Sequence, residues 1–244
     1  MTDFEYGAIS AVLETWSTNH YGCFFHLGQC LWRRVQHLGL ATLYVNNEKV
    51  KRYIKALQAL AFVPLDSVVK AFHELDSSLG EVLEIDEKID KVYRYFEKTF
   101  IGIHDRRLKL LKKPRFDPSS WNMVDRTLSG LPRTDNMHES WHKAFSTCLN
   151  INHPTLLTLI EAMVQEQKVT EHKMQNFFDG KNVSRYGDNS PYEQCNKRLI
   201  NVIPTFNMRS LMDYCDSISF NFSMKVFDDP NFKECESDSE PDPI

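Results

Sequence analysis

The sequence predicts a mainly α-helical protein with one or two short strands near residues 20–25. Three observations carry this. Apolar residues recur at three- and four-residue steps through most of the chain, the period of helices with one buried face. Nine glycines and ten prolines in 244 residues are too few for a turn-rich β architecture. One aromatic stretch, His20 to Phe25 beside Gly22, reads instead as a strand.

The elements follow in order. Residues 4–17 form a helix, with Phe4, Ala8, Val12 and Leu13 on one stripe and Trp16 after it. Residues 27–38 form the next, with Leu31, Val35 and Leu38 inward, Arg33 and Arg34 outward, and Gly39 as its stop. Val50, Ile54, Leu57 and Leu60 predict a helix over 47–61. Pro64 opens another, in which Leu65, Val68, Val69, Phe72 and Leu75 keep the period. The spacing of Val82, Ile85, Ile89, Val92, Phe96 and Phe100 predicts a helix over 81–101. Residues 102–135, with Pro114, Pro118 and Pro132, read as a partly ordered connection. Helices follow over 136–149, 154–178, 190–203 and 208–222, the long one opening at His153-Pro154.

Composition narrows the classes. With 42% hydrophobic and 25% charged residues the chain can bury a sizeable core, which excludes collagen-like and wholly disordered proteins. No apolar run approaches the roughly 20 residues of a membrane span, so no membrane partner is expected. The start, Met1 to Glu5, has neither a basic nor an apolar signal region. Cys23, Cys30, Cys148, Cys195, Cys215 and Cys235 are scattered and read as reduced thiols in the nucleus or cytoplasm. The formal charge of −4 is uneven. Of 33 acids, seven lie from Asp228 onward, where Lys233 is the single base among 29. That tail, 228–244, is −6 and expected to be disordered, and the rest of the chain is +2.

Two motifs carry chemistry. The run from Arg106 to Arg115 holds Arg106, Arg107, Lys109, Lys112, Lys113 and Arg115 and no acid. Such density suits a phosphate backbone, because binding releases condensed counterions. Lys112-Lys113-Pro114-Arg115 also matches a nuclear import signal. The plainer reading is a solvated loop. Secondly, His138-Glu139-Ser140-Trp141-His142 spells the zinc-protease signature, with Glu161 spaced as a third ligand. A zinc set of Cys23, His26, His138 and His142 is a further alternative. Against the protease stands the block Arg133-Thr134-Asp135-Asn136 just before His138, which belongs to a different pattern. The zinc set needs two distant segments to meet, where a packed Cys23 thiol and a hydrogen-bonded His26 imidazole are the plainer reading.

That pattern has three segments. The first is Thr2-Asp3-Phe4-Glu5, then Cys23-x-x-His26 within Gly22 to Gln29, then Leu31 to Arg34. The second is Ile54 to Pro64. The third is Trp121-Asn122 and Leu131 to His142, with His153-Pro154 and Glu166-Gln167 beyond. In order and spacing, over about residues 1–180, they resemble the Mutator-like (MULE) transposases, DDE enzymes with an RNase H-like catalytic core. The resemblance implies a partial RNase H-like core with an α-helical insertion. It makes Asp3 the second catalytic acid and Glu139 the third, with Asn136, His142, Cys23 and His26 as family motif positions. It also implies Mg²⁺ or Mn²⁺ held by such acids, DNA as partner and the nucleus as location.

The sequence departs from the family in two places. The strands that carry the first catalytic Asp do not fit in the two residues before Asp3, and the Asn-Asn pair before the third acid is Asp135-Asn136. Two acids give a weak metal site, so as written the chain is expected not to cleave or join DNA. It reads as a truncated gene model or a genuinely short protein. Its division is then 1–38 as remnant core, 39–132 as helical insertion and basic connector, 133–227 as C-terminal helices with the third acid, and 228–244 as tail. A helical protein-interaction or self-associating module without a nucleic-acid role is the alternative of a different class, and the zinc protease a third.

Overall fold

A computed structural model describes residues 1–16, 20–105, 107–151, 153–180 and 191–222, without the side chains of 136–139. The described chain is mainly helical. It divides into two compact units, Met1–Arg133 with Arg198–Ile244, and Thr134–Lys197.

The first unit opens with α1 (Tyr6–Thr15), α2 (Phe24–His37), α3 (Ala41–Asn46) and α4 (Glu48–Ala59). Next come α5 (Val68–Ser77), α6 (Gly80–Leu83) and α7 (Lys88–Phe96). Leu27, Leu31 and Val35 on α2, with Val50, Ile54 and Leu57 on α4, are fully buried at helical spacing, as are Val68 and Phe72 on α5 and Ile89, Val92 and Phe96 on α7. Each large side chain so buried contributes about 1.5–3 kcal/mol. Local chemistry sets the ends. Asn47 accepts from the backbone N–H groups of Lys49 and Val50 at 3.0 and 3.1 Å, capping α4. Gly39 stops α2 at φ +71°, which a side chain disfavours.

Helix α4 is the hub. It packs on α2, α3, α5, α7 and α13 (Leu211–Ser219). Sequence grouped residues 133–227 together, but 198–222 belongs with the first unit. Leu211, Tyr214, Cys215 and Ile218 form the apolar stripe that draws α13 there, and the Tyr214 hydroxyl donates to the Phe62 carbonyl at 2.5 Å.

Three expectations need correction. The strand at 20–25 shrinks to one residue, Gly22, in an isolated parallel bridge with Thr2. Phe24 and Phe25 are already in α2, because Phe24, Leu27 and Leu31 bury as one helical face. The single helix over 81–101 is broken between α6 and α7, where Asp86 accepts from the Lys88 N–H at 2.8 Å and restarts the helix. After α7 the backbone widens into a π-turn over Glu97–Ile101 and ends at Gly102. The connection 102–135 is ordered over most of its length. It holds an antiparallel hairpin of β1 (Ile103–His104) and β2 (Leu110–Lys112), then α8 (Pro118–Trp121) and α9 (Val124–Leu128).

The second unit contains α10 (Asn136–Leu149) and α11 (Leu156–Phe178). The Trp141 indole N–H donates to Glu166 at 2.9 Å between them. Helix α12 (Pro191–Val202) begins in this unit and ends in the first. The acidic tail expected at 228–244 lies outside the described residues.

Candidate functional site

Two anchors hold Asp3. On one side, the Thr2 N–H donates to Tyr21 at 3.1 Å and the Cys23 N–H donates to Thr2 at 2.9 Å, the parallel bridge around α1. On the other, the Phe4 ring stands edge-on to Phe100 and Phe116, at 5.3 and 5.0 Å between centroids. Gly22 makes this approach feasible, since a Cβ there would lie 2.6 Å from the Phe4 ring. The Asp3 residue between the anchors is exposed.

Hydrogen bonds join the parts of the three patterned segments that lie in the first unit. The Gly22 N–H donates to Ser120 at 2.7 Å and the Phe24 N–H to Arg133 at 2.9 Å. The Met123 N–H donates to Ala61 at 2.7 Å, and the Asn122 amide to Val63 at 2.8 Å. Trp121 is fully buried, edge-on to Phe96 and donating to the Phe100 carbonyl at 3.1 Å. Cys23 is buried at the N-cap of α2, with His26 in the first turn.

Asn136, His138, Glu139 and His142 all lie on α10, in the second unit. The side chains of the first three lie outside the described residues, and His142 is exposed. Glu161 is exposed on α11. Among the described residues, no three His, Cys, Asp or Glu side chains gather around one point.

The basic run forms a ribbon. Asp105 builds its turn, accepting at Oδ1 from the N–H groups of Arg107 and Lys109 at 2.8 and 2.9 Å. Its own N–H donates to the Lys109 carbonyl at 3.0 Å, and Leu108 sits at φ +59°. Asp105 is thus engaged in holding the turn. Ile103 pairs with Lys112 and His104 with Leu110, which leaves Leu111 as a bulge. Gly102 anchors the base at φ +90°, where a Cβ would sit 2.8 Å from the Lys112 carbonyl oxygen. Arg107, Lys109, Lys112, Lys113 and Arg115 are exposed, and Arg106 lies outside the described residues. Among the described residues none of these five forms an ion pair. Arg115 lies over the Phe116 ring at 5.6 Å. A two-stranded ribbon with exposed cations has the width to enter a nucleic-acid groove.

Sequence reasoning found these bases but missed the ribbon. The usable signal was Gly102 before Ile103-His104, and Asp105 opening a turn before Leu110-Leu111. Among the described residues no two cysteines are joined in a disulfide. No helix among the described residues is long and apolar enough to cross a membrane. No protein-family model matches the chain, and no curated protein or solved structure matches it.

Proposed function

We propose that this chain is transposase-derived, a Mutator-like DDE segment running from the second catalytic Asp past the third acid, and that it binds DNA through the basic ribbon in the nucleus. The observation that carries the binding is the ordered ribbon, with its one acid engaged and five exposed cations left for phosphates. The family reading is supported by the hydrogen bonds that join the patterned segments, and by the parallel Thr2–Gly22 pairing with α1 between its members. A helix between two parallel-paired segments is the ordinary parallel crossover, and it is compatible with such a core.

The 244 residues supply Asp3 and Glu139 as candidate acids. Two hard cations, when bound to a full acid set, activate water or a 3′-hydroxyl and stabilise the leaving oxygen. Two carboxylates are a poor set for that pair, and the activity proposed for these residues is DNA binding. Lys112-Lys113-Pro114-Arg115 is exposed in large part and free to serve as an import signal.

A gel shift on duplex DNA at rising salt, run beside a nuclease assay with Mg²⁺ or Mn²⁺, tests the reading. Binding that weakens steeply with salt and no cleavage are expected. No shift at low salt overturns the DNA reading and favours a protein-interaction module. Metal-dependent cleavage abolished by Asp3→Asn overturns the inactivity, and cleavage that survives that change belongs to another site.

A further inference from the structure

We propose that α11 pairs antiparallel with α11 of a second copy of this chain. The helix has 23 residues, and none of them is buried. Its face toward α10 is half-covered, at Leu159, Ala162 and Glu166. Beside that face runs a seam in alternating steps of three and four: Ile160, Met163, Gln167, Thr170, Met174 and Phe177. All six are exposed, Phe177 at 68% and Met163 at 53%. This is the spacing of the a and d positions of a coiled coil.

The seam is complementary to itself in one register. Laid antiparallel, Ile160 meets Phe177 of the other copy, Met163 meets Met174, and Gln167 meets Thr170. Two-fold symmetry repeats each layer, as an isologous contact requires. The central layer is polar and matched. The Gln167 amide N–H donates to Glu171 at 2.8 Å along its own helix, which leaves its Oε1 to accept from the Thr170 hydroxyl across the interface. A polar pair at one layer penalises slipped registers. The flanking charges agree as well. In this register Glu166, whose Oε1 accepts from Trp141, can turn its Oε2 toward Lys173 of the other copy, twice by symmetry, so charge complementarity selects a second copy as the occupant. A parallel pairing would set Gln167 against Gln167 and lose both ion pairs.

Sedimentation of the whole chain from 1 to 100 μM tests this. A reversible dimer in the micromolar range is expected. Ile160→Asp should weaken it at least tenfold without moving the thermal midpoint, because Ile160 is 48% exposed in the single chain. A chain monomeric at 100 μM overturns the proposal. So does an Ile160→Asp chain of lowered stability and unchanged mass, which means that the seam packs within its own chain. Register is read by disulfide trapping in a Cys148→Ser background. A Met163→Cys copy mixed with a Met174→Cys copy should crosslink, and each alone should not, since like residues then stand about 16 Å apart. Self-crosslinking of either copy as efficient as that of the mixture overturns the antiparallel register. None of these outcomes depends on DNA binding.

Discussion

Removing the ribbon's cations should change how DNA binding responds to salt, and by an amount that can be worked out. Five described bases lie on or beside the hairpin: Arg107, Lys109, Lys112, Lys113 and Arg115. Each cation that neutralises one phosphate contributes about 0.9 to the slope of log affinity against log salt, so five contacts give a slope of roughly −4.5. Between 50 and 200 mM salt, affinity then falls on the order of 500-fold. Lys109→Ala, Lys112→Ala and Lys113→Ala together remove three contacts and should reduce the slope to roughly −1.8. These side chains are exposed and form no ion pair among the described residues, so stability should stay within about 0.5 kcal/mol of the parent. Fluorescence anisotropy on a labelled duplex at five salt concentrations measures the slope, and thermal unfolding checks the fold. A triple variant with the parental slope refutes the assignment of phosphate contact to the ribbon. An equal loss of affinity at every salt concentration also refutes it, because released counterions must appear in the slope.

Further predictions concern the supports of the fold. Gly102→Ala forces a side chain into a backbone conformation that only glycine adopts readily, with a Cβ 2.8 Å from the Lys112 carbonyl oxygen. It should cost about 1–3 kcal/mol in chemical denaturation and weaken DNA binding by displacing β2. Tyr214→Phe leaves the buried Phe62 carbonyl without its donor. A loss of about 1–3 kcal/mol is expected, lowering the thermal midpoint about 2–4 °C for each kcal/mol, and an unchanged midpoint would mean that α13 is not docked as described. Burial holds the His73 imidazole below its ordinary value of 6.5, with His104 and Arg94 adding to the effect against the opposing Glu97 and Asp76. The unfolded chain therefore takes up the proton first as pH falls below 6.5, and stability drops until the folded pKa is reached. The urea midpoint should be lower at pH 5.5 than at 7.5, and His73→Gln should flatten part of that difference. The remainder belongs to groups such as His20, which burial and the nearby N-terminus also hold low.

The helices were legible because their signal is local. Leu27, Leu31 and Val35, or Ile89, Val92 and Phe96, lie on one side of a helix whatever they pack against, and a long amphipathic helix has no competing use for that spacing. The strand at 20–25 was misread for a related reason. Tyr21, Phe24 and Phe25 favour strands as types, but burial of Phe24 with Leu27 and Leu31 outweighed local preference. The ribbon was hidden because Leu110 and Leu111 are exposed and its pairing depends on a partner strand, so no buried face marks its period.

For the candidate site, sequence located the residues and tertiary structure decided what surrounds them. The order of Asp3, Cys23-x-x-His26, Trp121-Asn122 and Arg133 to His142 is visible in one dimension. That Thr2 bonds to Tyr21 and Cys23, Phe24 to Arg133, and Met123 to Ala61 is not, since each joins backbone groups that any residue carries. By itself the sequence determined the helical class, the basic run and its acid-free composition, because period and charge belong to the side chains. Only the tertiary structure decided that the run is a hairpin with its one acid engaged, that α13 returns to α4, and that α11 keeps a seam exposed. The docking of α13 depends on burial and a hydrogen bond between residues far apart in the chain, and the hairpin and the seam depend on which faces find a partner, which the period of one segment does not encode.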